Sequence, residues 1–479
     1  MVSVSQRPSR DASPGLVLAI VCAGVVLASL DLFIVNVALP QIAADFHVHD
    51  GLADLSWVLN AYAIVYAALL VLFGRLADRF RRERGFLLGV VIFVAASAAC
   101  GAATSVAMLV AFRVVQAAGA ALLTPTSLGL VLASTAPERR HGAVRTWAAI
   151  GGAAAALGPV VGGLLVAADW RWVFFVNVPI GVAALIVGRR WLPHVPGQQV
   201  PAPDALGAPL ITAGVALLTL GLVKGGDWGW GGATTIAVLA AAAAGVALFV
   251  VHTAHHRHPL IDRRLFALRA FTGASTVALV FSAAFGAMLL SRVLWAQDVW
   301  GWSALRTGLA IAPGPLMVPL FATLGGRLVP RCGAGPVIAA GCAIFSAGAA
   351  WWAFAAGVPP DYVGDMLGGM LLTGVGTGLA LPTLIATGSA SLPSHSFATG
   401  SAVVNMLRQI GMAIGVAVLI AVLGTPHTAS DAVHAYRDAS IVIAAIALAA
   451  SVVALALLTR RRAPMADATP MPAMAAEAA

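Results

Sequence analysis

The sequence predicts an all-α integral membrane protein of fourteen transmembrane helices, built as two six-helix pseudo-symmetric bundles plus two inserted helices. Three observations predict it. Of 479 residues, 60% are hydrophobic and only 10% charged, against roughly 25% charged in a soluble domain, so the chain lacks the charge to cover a water-facing surface. Apolar runs recur at about 20 residues, the length needed to cross a hydrocarbon core ~30 Å thick. A G-R-L-x-x-R pattern at 74–79 returns at 326–331, each time at the same end of an apolar run, as a duplicated half would leave it.

The elements follow in order. Residues 1–14 precede the first span. The first apolar run continues past Leu30 to Pro40 without a small-residue cleavage site, so it reads as a retained helix rather than a signal peptide. Spans near 15–39, 54–74, 86–106, 107–131, 145–167 and 172–190 form a first bundle, 15–191. A Pro-rich stretch at 192–209 breaks the pattern, and the linker region 192–258 holds two additional spans near 209–224 and 235–253. A second bundle, 259–460, holds spans near 271–293, 306–328, 335–356, 363–387, 400–424 and 438–459. The tail 461–479, rich in Ala, Pro and Met, is expected to be disordered.

Net charge is +9, from 28 basic residues of which one (Lys224) is lysine. Such a total can signal nucleic acid, but here the arginines sort by side. One side collects Arg7, Arg10, Arg79, Arg81, Arg82, Arg84, Arg139, Arg140, Arg145, Arg189, Arg190, Arg257, Arg263, Arg264, Arg269, Arg331, Arg460, Arg461 and Arg462. The other has Arg171, Lys224, Arg306 and Arg437. That asymmetry places both termini in the cytoplasm of a plasma membrane. Trp57, Trp170, Trp172, Trp228, Trp230, Trp295, Trp300 and Trp302 fall at the opposite span ends, where interfacial rings belong. An Ala, Gly, Pro and Arg bias with three Glu suggests a GC-rich bacterial genome.

Several chemistries are excluded. Cys22, Cys100, Cys332 and Cys342 lack metal-ligand spacing, so neither a disulfide nor a metal site is expected, and no cofactor is implied. Gly374, Gly376 and Gly378 resemble a phosphate loop only in spelling, since they lie inside an apolar span. His255, His256 and His258 read as a solvated surface loop. Nucleotide-binding and nucleophile constellations do not occur in the sequence, which argues against an enzyme or an ATP-driven pump.

Ordered motifs suggest a family. Residues 30–40 (LDLFIVNVALP), 74–79 (GRLADR), 113–121 (RVVQAAGAA), 158–163 (GPVVGG) and Asp169-Trp170-Arg171-Trp172 with Asn177-Val178-Pro179 appear in sequence. From about residue 15 to 460 the chain resembles the major facilitator superfamily, in its fourteen-span drug:proton antiporter branch. It departs from the usual pattern at Arg81, Glu83, Ala117 and Ala154. The resemblance implies alternating access, export rather than uptake, a monomer, and a latch at Asp78 and Arg79 that holds one state of the cycle. Gly74, Asp78, Arg79, Gly158, Pro159, Gly162 and Gly163 are therefore candidate gating residues, with helix capping and close helix packing as the plainer readings.

Buried charge points to the chemistry. An acid inside a span costs roughly 2.5–3.5 kcal/mol on insertion scales, so Asp31 needs a function there. It lies about 13 Å from the helix end at Pro40 and Arg113 about 9 Å from its own, depths that allow pairing. Asp31 is expected to carry a coupling proton with Arg113 modulating its charge; a permanent structural ion pair is the alternative. Asn36, Gln116, Arg292, Gln297, Asn405 and Arg408 are candidate substrate contacts, Arg408 standing equally well as half of a structural pair. Asp365 reads as a helix cap. No acid lies deep in the second half, which favours neutral, monocationic or anionic amphiphiles.

The reading is a proton-coupled exporter of small hydrophobic or amphiphilic drug-like compounds, embedded in a lipid bilayer without nucleic acid. A narrow exporter of one metabolite or self-made antibiotic is the rival. A non-transporting sensor is the remote one, disfavoured because no large soluble domain is present in the sequence.

Overall fold

The computed structural model describes residues 13–47, 52–197, 204, 206–257, 259–355, 357, 359–390, 392–393, 396–424 and 428–459. The expected disordered tail, the terminal arginines Arg7, Arg10, Arg460, Arg461 and Arg462, and His258 lie outside the described residues, as do the side chains of Asn36 and Pro159.

Among the described residues 14 helices are long and apolar enough to cross a membrane. They are α1 (Pro14–Asp45), α2 (Leu52–Arg79), α3 (Arg82–Gly101), α4 (Val106–Ser134), α5 (Arg140–Val166) and α6 (Trp172–Trp191). Next come α7 (Gly207–Trp228) and α8 (Ala233–His255). The rest are α9 (Arg269–Leu294), α10 (Leu305–Cys332), α11 (Ala334–Ala355), α12 (Gly368–Ala390), α13 (Phe397–Leu423) and α14 (Ala429–Leu458).

Local chemistry sets their ends. The Ser13 hydroxyl accepts from Leu16 N ahead of Pro14, and Ser105 Oγ accepts from Met108 N at 3.2 Å. A capping box between Thr428 and Asp431 opens α14. Gly333, at φ 87°, ends α10 in the left-handed region that a side chain would strain. α6 is jointed at Val176, between Trp172–Phe175 and Asn177–Trp191. Pro179 has no N–H for the Phe175 carbonyl, which explains the joint and puts Asn177 at it.

The packing is duplicated. In the first six helices α1 meets α4, α5 and α6; α3 meets α4 and α6; α2 meets α4. In the last six, α9 meets α12, α13 and α14; α11 meets α12 and α14; α10 meets α12. The second set is the first shifted by eight helices. Between the halves, α2 packs on α13 and α5 on α10, and these two contacts exchange under the same correspondence. α7 leans on both α2 and α13, while α8 touches mainly α7. Only 17% of the α8 apolar window is buried, so Ile236, Leu248, Val250 and Val251 face lipid.

Small residues set the helix spacing. A Cβ at Gly376 would strike the Gly341 carbonyl of α11, and one at Gly378 would come within 2.9 Å of Val318 O on α10. The glycine run at 374–378 is thus a packing stripe. The tryptophans correct one expectation: Trp172 and Trp230 are exposed, but Trp170, Trp295, Trp300 and Trp302 are buried. Trp295 packs edge-on against Tyr436 at 5.1 Å and Trp300 lies 4.7 Å from Trp302, so these rings fill protein rather than sit at the headgroups.

Candidate functional site

Asp31 is fully buried inside the first bundle, held directly from two other helices, α4 and α6. Arg113 Nη1 on α4 donates to its Oδ2. Gln116 Nε2 donates to Oδ1 at 2.8 Å, and Asn177 Nδ2 on α6 donates to the same oxygen at 3.1 Å. Ser97 Oγ on α3 accepts from Gln116 and Asn177 at 3.1 and 3.0 Å, and donates to Phe174 O at 2.9 Å. Arg113 is fixed further by Gln116 Oε1 at 2.7 Å and by Val58 O at 3.1 Å. Arg113 Nη2, Asn177 Oδ1 and Tyr62 Oη are buried without a hydrogen-bond partner among the described residues. The carboxylate thus meets three donors, one of them a guanidinium, and unmatched polar atoms beside it leave room for a second arrangement.

A pair of rings leads from this centre to a cavity between the bundles. The Arg113 guanidinium lies 4.1 Å from the Tyr62 ring centre, and Tyr62 stacks on Tyr66 at 6.0 Å. Tyr66 is one turn on along α2, and its hydroxyl bonds Thr124 Oγ1 at 2.9 Å. Both Tyr66 and Thr124 line the cavity, an empty space of about 1170 Å³ with its mouth included. Its wall draws on α1, α2, α4 and α5 from one half and α9, α10, α12 and α13 from the other. Ser29 and Leu32 of α1 face it; Asp31 between them points the other way, because neighbours on a helix do not share a face. Asn405, Arg408 and Gln409 of α13 supply its polar side, with Arg408 Nη1 donating to Asn405 Oδ1 at 2.9 Å.

At the arginine-rich face the halves are tied together. Asp78, at the end of α2, accepts from the Ala398 and Thr399 amides at 3.0 and 2.7 Å and from Thr399 Oγ1 at 2.7 Å. Arg82 Nη2 donates to it at 3.0 Å. A carboxylate here satisfies open amides at the first turn of α13 and meets the positive end of its dipole. Gly74, one turn earlier, permits this approach: a Cβ there would lie 2.6 Å from Ala402 Cβ and 2.9 Å from Ala398 O.

Residues 21–416 match the Major Facilitator Superfamily. The chain belongs to the major facilitator superfamily. Its relatives include the tetracenomycin C resistance and export protein of Streptomyces glaucescens, 32% identical over 86% of this chain and 75% of the relative. The cephamycin export protein CmcT of Amycolatopsis lactamdurans is 35% identical over 94% of each. Among solved structures, the human organic anion transporter MFSD10 superposes with a TM-score of 0.68 at 15% identity, over 94% of this chain and 100% of that one, which speaks to fold alone. This superfamily member is a multi-pass membrane transporter, not an enzyme.

In the transporter the residues singled out from sequence divide into three groups. Asp31, Arg113 and Gln116 come together, but Gln116 does so inside the bundle, bound to the acid, and not in the cavity wall where a substrate contact was expected. Arg292 also stands away from the cavity. It is buried in the second bundle, donating to Ser291 and Ser440 at 2.8 and 3.2 Å and lying 4.7 Å from the Trp352 ring centre. Gln297 sits on a π-turn, Trp295–Val299, also outside the cavity lining. Asn405 and Arg408 do line it. Of the gating candidates, Gly162 packs on Ile34 of α1 and Gly163 on Leu305 of α10. Gly158 is buried on α5, which runs unbroken through Pro159. The ion partner the structure gives Asp78 is Arg82, whereas Arg79 was expected; Arg79 closes α2.

Sequence reasoning missed Asn177 as a ligand of Asp31 and Ser97 as the hydroxyl that holds Gln116 and Asn177 in place; the Asn177-Val178-Pro179 signal marked the joint but not its target. The two departures at the loop motif answer each other, Arg81 Nε meeting Glu83 Oε1 at 2.5 Å. Asp365 caps no helix start but accepts from Gly357 N at 3.1 Å. The histidine cluster differs in membership. His252 Nε2 lies 2.7 Å from Asp204 Oδ2 and His256 Nδ1 3.9 Å from it, tying the start of α7 to the end of α8, while His255 bonds Val251 O. Burial pushes the Asp204 carboxyl up, but the Gly207 and Leu206 amides and His252 outweigh it and hold the group below the ordinary carboxylate value.

Proposed function

We propose that the protein is a drug:H⁺ antiporter that exports small amphiphilic compounds by alternating access, with the proton carried on Asp31. The observation that carries this reading is a fully buried carboxylate in a helix whose other face lines the cavity. Protonation of Asp31 weakens its hold on Arg113, and the guanidinium shift reaches the cavity through Tyr62 and Tyr66. The Asp78 latch closes the arginine-rich face in one state and parts in the other. Both termini are cytoplasmic, the membrane is a bacterial plasma membrane, and the monomer is the working unit; the arginine distribution and the relatives support the first two. One proton entering down 100 mV supplies roughly 2.3 kcal/mol, enough for about a fortyfold gradient of exported compound at tenfold per 1.4 kcal/mol.

A narrower reading also has support. The relatives named above are each described by a single antibiotic, which favours export of one dedicated compound. Dye and antibiotic efflux from everted vesicles under an imposed pH gradient tests both. Wild type is expected to transport and Asp31→Asn to lose gradient-driven transport while still purifying as a folded monomer. Unchanged efflux in Asp31→Asn would remove the proton role. Export of one compound out of a broad panel would select the dedicated exporter.

A further inference from the structure

Arg408 is a cation in the cavity wall without an anion to answer it. Its Nη1 is held by Asn405 Oδ1 at 2.9 Å, its Nε has no hydrogen-bond partner, and no carboxylate lies within 4 Å of it among the described residues. Asn405 is itself anchored, donating to Ser401 O at 2.9 Å, so the guanidinium is aimed rather than loose. No Asp, Glu, His or Lys is found among the residues lining the cavity. The rest of the wall is uncharged, with apolar Leu32, Phe285, Met288 and Ile311 beside neutral polar groups such as Thr124 and Gln409. A guanidinium in such surroundings is costly without a counter-charge. Its planar fork suits a carboxylate, sulfonate or phenolate oxygen.

We infer that the exported compound carries an anionic oxygen group that docks on Arg408, with its apolar body against α1, α9 and α10; this rests on the export reading above. The anion completes the missing pair, and a cationic compound of the same size is repelled by the same side chain. Ordinary hydrophobic export needs no charged wall residue, whereas charge selection follows directly from this one.

Two xanthene dyes of one scaffold and opposite charge, fluorescein and rhodamine 6G, test it on the purified full-length protein. Equilibrium binding is read by fluorescence anisotropy, and flux is read separately in proteoliposomes with a pH gradient. Fluorescein is expected to bind at least tenfold tighter than rhodamine 6G. Arg408→Gln should weaken fluorescein at least tenfold, about 1.4 kcal/mol, and Arg408→Lys should restore part of it. Asn405→Asp, which keeps Arg408 and places an internal anion beside it, should also weaken fluorescein and relieve the exclusion of rhodamine 6G. Preference for rhodamine 6G, binding of neither dye, or fluorescein binding indifferent to both Arg408 variants would overturn the inference. Fluorescein bound through Arg408 but not moved by the gradient would sustain it and count against export instead.

Discussion

Removing one partner of a buried ion pair costs about 3–5 kcal/mol, because the other charge stays behind without water or partner. Asp31 and Arg113 are both fully buried, so the two substitutions should not be equivalent. Asparagine at 31 keeps one acceptor oxygen for its neighbours but leaves the Arg113 charge unanswered, beside the Tyr62 ring. Arg113→Ala strands the carboxylate and should cost several kcal/mol, seen as a large fall in the melting temperature in detergent; an unchanged melting temperature would mean the acid is already neutral. Asp45 is a contrasting case at the opposite end of α1, half exposed. Trp170 Nε1 and Arg171 Nη2 donate to it at 3.2 and 2.9 Å, and these bonds hold its carboxyl below the ordinary 3.8. A lowered folded value means the tie is present in full above about pH 4 and is lost as pH falls through that lower value. The melting difference between wild type and Asp45→Asn should therefore be small at neutral pH, as for exposed pairs, and should vanish on acidification.

At the scale of elements, the contact of α2 with α13 is where the proposed latch would open and close. Four hydrogen bonds converge on one carboxylate, three of them from the first turn of another helix in the other half. All four are polar bonds that water could replace once the helices part. Asp78→Ala should accelerate hydrogen exchange at the Ala398 and Thr399 amides by tenfold or more, while Asp78→Asn, which keeps one acceptor, should fall between. If exchange at those two amides did not change, the first turn of α13 would be protected by something else. The corresponding end of α10 has Pro330 where α2 has Asp78, and Gly326 packs there against Arg145 of α5. The proposed latch is thus one-sided.

Across the whole molecule, two sixfold sets with matched contacts meet over a shared cavity, and α7 bridges them at α2 and α13. On the proposed alternating-access reading, rocking the halves would shift α2 and α13, both of which α7 touches, relative to one another. Orientation is testable with the native thiols: Cys332, at the arginine-rich end of α10, is exposed, while Cys22, Cys100 and Cys342 are buried. A membrane-impermeant maleimide should label Cys332 in everted vesicles and spare it in intact cells; the reverse pattern would turn the molecule over.

Composition and periodicity alone determined the fourteen spans and their sidedness of charge, because bilayer thickness and the cost of charge in hydrocarbon act on each segment by itself. The same reasoning found Asp31, Arg113 and Arg408, since a charge inside an apolar run stands out whatever its neighbours. Tertiary structure decided what those charges meet. Gln116 and Arg292 are polar residues in spans like Arg408, yet they turn into bundle interiors, and only the azimuth set by packing distinguishes a ligand of Asp31 from a cavity contact. Ser97 is neutral and costs little in a helix, so nothing local marked it, and the motif that holds Asn177 did not say what the side chain meets. Arg82 looked like topology charge and proved to be Asp78's partner four residues away. The Ala398 and Thr399 amides that Asp78 also meets could not be read locally, because contact across 320 residues depends on where α13 begins.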